Sequence, residues 1–174
     1  AEATPGVRAW DEGKALAKST LDRYYRKHGE YPRKVSYTFW AGEFIETEGA
    51  TLAQALYMLG VAPVRDGMNR VTDLRLIPSA ELGRPRIDVV VQTSGQLRDV
   101  AASRLELLTK AVKMVAQSEN DTCGNYVSEG TVESERILLE KGFSPKEARE
   151  LSTVRVFGGA SLNAPSFTFI TIKP

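Results

Sequence analysis

Histidine and cysteine, the side chains on which much nucleophilic catalysis and transition-metal binding depends, are nearly missing: His28 and Cys123 stand alone in 174 residues. A single cysteine excludes an internal disulfide and a Cys-rich metal knuckle, and it suits a reducing cytosol. Cys123 lies in a polar stretch and His28 in the basic run Arg26-Lys27-His28, so neither can complete a nucleophilic triad. Charge of one sign is also lacking. Lys plus Arg number 23 against 22 Asp plus Glu, a net charge of +1, which offers no field for a polyanion and no support for a nucleic-acid partner. No apolar run approaches the roughly 20 residues of a membrane span, and no basic-then-apolar leader precedes the first helical pattern. The glycines never adopt the G-x-x-x-x-G-K-[ST] spacing, so nucleotide hydrolysis is expected from another chain. Internal repeats and low-complexity stretches are absent. Ala1 stands where an initiator Met would, which points to a processed product or a piece of something longer.

What is present is the pattern of one α/β domain. A chain of this length buries roughly 70% of its unfolded surface without a disulfide or metal staple. Trp10, Ala17, Leu21 and Tyr24 fall on one face of a helix over residues 7–28 that Gly29 ends. The run from Lys34 to Trp40 is rich in β-branched and aromatic residues and reads as the first strand. A loop with Glu43, Glu46 and Glu48 follows, then a helix with Leu52, Ala55, Leu56 and Leu59 on one face, a Thr51/Gln54 capping box at its start and Gly60 at its stop. A turn at 66–69 precedes a strand over 71–77. Val89, Val90 and Val91 form an unbroken β-branched run, expected of a strand covered on both faces. Leu105, Leu108, Val112 and Val115 mark a helix over about 99–117, and residues 118–130 read as a polar loop. A helix over 131–141 and one opening at Ser144-Pro145-Lys146-Glu147 come next, the latter with an N-cap, an N1 proline and a capping-box acid. A strand over 154–157 follows, and 167–172 alternates like an edge strand. The expected fold is a three-layer, Rossmann-like open sheet, mostly parallel, with helices on both faces. It forms one domain over 1–159 with a divergent tail over 160–174.

Three of these strands end in glycine-containing turns, at Gly42, at Gly95 and at Gly158-Gly159. In a parallel sheet the three turns share the rim where ligands gather. Trp40, Glu43, Glu46, Ser94, Arg98 and Asp99 would lie around it: a flat aromatic, carboxylates and a guanidinium. That set suits a planar ligand bearing acidic groups, with Arg forking onto carboxylate and Glu handling protons or a hard metal ion. Without a ligand, the same residues make a solvated acidic loop and a charged helix start.

Several separated segments resemble one family. Gln54-Ala55-Leu56 through Leu59-Gly60-Val61 with Pro63-Val64, Gly83-Arg84-Pro85-Arg86-Ile87-Asp88-Val89, Ser94-Gly95 with Arg98-Asp99, and Arg155-Val156-Phe157-Gly158 are similar, in order and near spacing, to the large subunit of cobaltochelatase and magnesium chelatase. The stretch from Gln92 to Asp99 looks nearest the cobaltochelatase-like branch. The resemblance implies a cytoplasmic, tetrapyrrole-binding fragment of a ligase that inserts a divalent metal ion, with cobalt, magnesium and iron not distinguished. ATP would be consumed by separate ATPase subunits. It implies Glu43 and Glu46 for proton transfer or metal contact, Arg98 and Arg86 for the macrocycle's carboxylates, and Trp40 for packing on its face, with Ser94 and Gly95 lining the site. Arg86 has a second role open to it, pairing with Glu81 or Asp88 to fix the turn. Magnesium-chelatase relatives usually read Trp-Gly-Thr at Trp40-Ala41-Gly42 and Gly-Glu at Gly49-Ala50, and relatives often show Arg-Lys-His at Ser128-Glu129-Gly130, so one acid and one histidine are replaced here. These departures favour one alternative, a non-catalytic assembly module on the same fold, while the retained Ser94-Gly95 and Arg98-Asp99 argue against it. A second is a haem-using homologue that removes metal from a metallo-tetrapyrrole, and a third is an unrelated α/β small-molecule binding domain, which would require the motif matches to be accidental.

Overall fold

The computed structural model describes residues 4–39, 49–93, 102–158 and 170–172. Among these, the helices are α1 (Val7–His28), α2 (Ala50–Leu59), α3 (Ser79–Leu82), α4 (Ala102–Ala116), α5 (Tyr126–Glu140) and α6 (Pro145–Ser152). The strands are β1 (Lys34–Phe39), β2 (Val61–Arg65), β3 (Val71–Leu76), β4 (Asp88–Thr93), β5 (Val156–Gly158) and β6 (Ile170–Ile172). The main sheet has the order β5-β4-β1-β6, and every pairing in it is parallel. The α/β class and the parallel sheet expected from the pattern are therefore present.

The strands alternate as a packed sheet requires. Val35, Tyr37 and Phe39 are buried on one face of β1 while Lys34, Ser36 and Thr38 are half-buried on the other. Together with Val89 and Val91, the first set packs into a core with Leu52, Leu56 and Leu59 of α2 and Leu105, Leu108, Val112 and Val115 of α4. All three residues of the valine run are buried, as their unbroken apolar pattern predicts. Each fully buried leucine of this layer contributes about 1.5–3 kcal/mol.

α1 ends as expected, with Gly29 at φ 72° donating its N–H to the Tyr25 carbonyl at 2.7 Å. Its buried face, however, is Ala9, Gly13, Ala17 and Leu21. Gly13 makes the difference: a Cβ there would lie 2.6 Å from Ala53 Cβ and 2.7 Å from the Ala50 carbonyl oxygen. α1 and α2 thus approach closely through small residues, and Trp10 is left half-buried, edge-on to Tyr57.

Three local expectations change. α2 starts at Ala50 behind Gly49, at φ 89°, rather than behind a Thr51 cap. β2 was hidden by Pro63, and it pairs antiparallel with β3 in a separate two-stranded sheet instead of feeding the main one. The Asp66 carboxylate accepts the N–H groups of Met68 and Arg70 and closes that hairpin tightly. α5 begins at Tyr126, inside the stretch read as a loop, because Asn125 caps it by accepting the Ser128 N–H at 3.0 Å. Gly130 is therefore a helical residue. α6 begins as expected, with both halves of the Ser144/Glu147 capping box formed and proline in the first turn. No helix among the described residues is long and apolar enough to cross a membrane.

Candidate functional site

The carboxyl edge of the sheet is set by register. Phe39 of β1 lies opposite Thr93 of β4, and Thr93 lies opposite Gly158 of β5. The chain therefore leaves three neighbouring parallel strands along one edge. Two helices point their amino ends toward it. The last turn of α2 meets the start of β4, where the Ile87 N–H donates to the Met58 carbonyl, so the first turn of α2 is at the opposite end. α4 runs the same way: its Val115 carbonyl accepts Asn125 Nδ2 at 2.7 Å, and Asn125 bridges to Arg86 just ahead of β4. The first turn of α2 carries no acidic residue, so its positive end has no carboxylate of its own. Two helix amino termini at one edge favour an anionic group there.

The amino edge is built differently, from buried ion pairs. Arg86, 2% exposed, donates from Nε to Asp121 at 2.7 Å, from Nη1 to the Gly60 carbonyl at 2.7 Å and from Nη2 to the Ile77 carbonyl at 2.6 Å. Gly60 is needed for this approach, since it adopts φ 78° and a Cβ there would fall 2.3 Å from Arg86 Nη1. Arg84 caps the carboxyl end of α2, donating to the Tyr57 and Met58 carbonyls and stacking on the Tyr57 ring at 4.9 Å. Burial pulls its pKa down to about 10. Asp88 accepts Arg155 Nε at 2.9 Å and the Val89 N–H at 2.8 Å on one oxygen, while Lys34 Nζ stands 3.6 Å from the other. Burial, aided by the Arg155 charge, lowers the pKa of Lys34, and Asp88 opposes them.

Among the expected site residues, only Arg86 falls within the described residues; Trp40, Glu43, Glu46, Ser94, Gly95, Arg98 and also Asp99 lie outside them. Arg86 precedes β4 and so belongs to the amino edge, away from the strand ends where the other six were expected. Of the two roles open to it, the geometry matches the internal brace, with Asp121 as partner in place of Glu81 or Asp88. The Asp88–Arg155 pair escaped the sequence reading, although each partner is a charged residue leading into an apolar strand, a signal that could have found it. His28 is exposed at the end of α1, stacked on Tyr24 at 4.2 Å, and Cys123 is exposed. Among the described residues no cluster of three or more His, Cys, Asp or Glu could hold a metal ion.

An open parallel sheet with two helix amino ends at its carboxyl edge, and a charge-locked opposite edge, defines a domain of the open-sheet α/β class. The family described as CobN/Magnesium Chelatase matches residues 1–162. The magnesium-chelatase subunit ChlH of Oryza sativa subsp. indica is 39% identical over 161 residues, which is 92% of this chain and 11% of that protein. The aerobic cobaltochelatase subunit CobN of a Sinorhizobium species is 36% identical over 169 residues, 93% of this chain and 13% of that one. The catalytic subunit of cobaltochelatase from Mycobacterium tuberculosis superposes with a TM-score of 0.80 at 39% identity, over 90% of this chain and 13% of that chain. The chain belongs to the CobN/magnesium-chelatase family, and it spans about an eighth of the length of these relatives.

Proposed function

We propose that this chain is the tetrapyrrole-binding domain of a cobaltochelatase-type large subunit and takes part in metal insertion, with ATP hydrolysed by separate ATPase subunits in the cytoplasm. The observation that carries the reading is the in-register pairing of Phe39 with Thr93. The segments that contain Trp40, Glu43 and Glu46, and Ser94, Gly95 and Arg98, start from the ends of these two adjacent strands. The amino ends of α2 and α4 at the same edge suit a macrocycle that carries carboxylate side groups.

Metal insertion requires two pyrrole N–H protons to leave and the incoming ion to shed water. Glu43 and Glu46 accept the protons or contact the substrate ion, Arg98 holds a macrocycle carboxylate through paired N–H donors, and Trp40 packs on the flat face. The Ser94-Gly95 turn lets backbone approach the ligand. Arg86 serves the same site indirectly, by fixing the strand that leads into that turn.

The test is a titration with a cobyrinate-type corrinoid, a free-base porphyrin and haem, followed by absorbance and tryptophan quenching, in wild type and in Arg98→Ala. Saturable binding of one class, weakened about tenfold or more by loss of a charge-assisted contact, is the expected result. No saturable binding to any of the three would refute a macrocycle site on this domain.

A further inference from the structure

The amino edge contains an open cavity of about 270 Å³ between β1, β4 and α5. Lys34, Asp88, Glu129 and Gly130 are among its lining residues. Gly130 keeps it open beside the carboxylate, since a Cβ there would lie 3.0 Å from Asp88 Oδ2. At the wall of this cavity Asp88 is shared by two cations, Lys34 from the cavity side and the buried Arg155 from behind. The side chains of Asp88 and Arg155 are 3% and 4% exposed, whereas that of Lys34 is 19% exposed and borders the cavity. Of the other carboxylates that line the cavity, Glu129 pairs with Arg33 at 2.7 Å, and Glu133 pairs with Arg136. A guanidinium does not give up its proton in a protein. Lys34 is therefore the cation of this network that can, and burial lowers its pKa as expected of such a group.

We propose that Lys34 is an acylation site for small activated acyl donors, acyl phosphates or acyl thioesters. The unprotonated Nζ attacks the acyl carbonyl carbon, a C–N bond forms, and the C–O or C–S bond to the leaving group breaks. Phosphate or thiolate leaves with the electron pair, and the amine's surplus proton passes to solvent. The product is stable in place. Loss of the Lys34 charge leaves Asp88 and Arg155 paired one to one, and the cavity accommodates the added group. The site lies at the opposite end of the sheet from the edge assigned to the macrocycle, so it does not depend on that assignment.

The intact chain, incubated separately with acetyl phosphate and with an acetyl thioester near neutral pH, is analysed by peptide mass spectrometry at successive times. Lys34 is expected to acetylate about fivefold faster than the exposed Lys27, Lys141 and Lys146, because burial lowers the Lys34 pKa and so raises its unprotonated fraction. The donor that gives the larger preference identifies the source. Lys34→Arg should remove the fast site and leave the other rates unchanged. A Lys34 rate equal to or below that of the exposed lysines with both donors, across the pH range, overturns the proposal.

Discussion

Replacing Arg86 with methionine tests whether the amino edge is held by its buried charges. The substitution preserves length and apolar volume but removes the guanidinium. Arg86 and Asp121 have side chains 3% and 7% exposed, so the loss strands a buried carboxylate. Removing one partner of a buried pair costs about 3–5 kcal/mol. Asp121 keeps one contact, from Asn125 Nδ2 at 3.0 Å, which places the cost toward the lower end. The Gly60 carbonyl also keeps a donor, the Ile77 N–H at 2.8 Å. The Ile77 carbonyl loses its Arg86 Nη2 contact of 2.6 Å, and a buried orphan acceptor adds about 1–3 kcal/mol. Arg86→Met should therefore lose about 4–6 kcal/mol, a large share of the roughly 5–15 kcal/mol by which domains are stable. Urea unfolding followed by circular dichroism reads the loss directly. Arg33→Met is the control: it breaks a pair of similar length, but one whose side chains are 69% and 54% exposed, and should cost less than about 1 kcal/mol. Adding Asp121→Asn to Arg86→Met should cost much less than the sum of the single effects, because the two share one interaction. Equal losses for Arg86→Met and Arg33→Met would refute the reasoning.

Tyr37 is 1% exposed, and its hydroxyl has no hydrogen-bond partner among the described residues. Tyr37→Phe should hold stability or raise it by about 1 kcal/mol in urea unfolding. Burial raises the Tyr37 pKa above the ordinary 10.0, so the fold retains a phenolic proton that the unfolded chain releases. Stability should fall as pH rises past about 10, and the fall should be shallower in Tyr37→Phe. Gly13→Ala improves helix propensity by about 1 kcal/mol, yet its methyl meets Ala53 Cβ at 2.6 Å. A net loss of about 1–3 kcal/mol is expected from the overpacked α1–α2 contact, and a rise in thermal midpoint would refute that packing. Ser144→Ala removes the side-chain half of the α6 cap and should lower stability by about 1 kcal/mol, with faster amide exchange in the first turn of α6.

Much of the fold was legible because its signals are local. Gly29 ending α1, the Ser144-Pro145-Glu147 start of α6 and the valine run of β4 each depend on hydrogen bonds and periodicity within a few residues, so the sequence alone determined them. The α/β class and the shared carboxyl edge followed from the order of such segments, and the family was legible because its motifs recur in order. Tertiary packing decided the rest. Pro63 and a tight Asp66 turn carried β2 and β3 out of the main sheet, and Asn125, held by the Val115 carbonyl and Asp121, started α5 where Gly130 suggests a loop. Arg86 could have served a ligand or a turn, and the fold gave it Asp121, 35 residues away. Asp88 met Arg155 across 67 residues, and only that meeting left Lys34 as the second cation on one carboxylate. Pairings over such distances are chosen by which surfaces the assembled layers bring together out of water; a local pattern marks a charge that leads into an apolar strand, as at Asp88 and Arg155, without naming its partner.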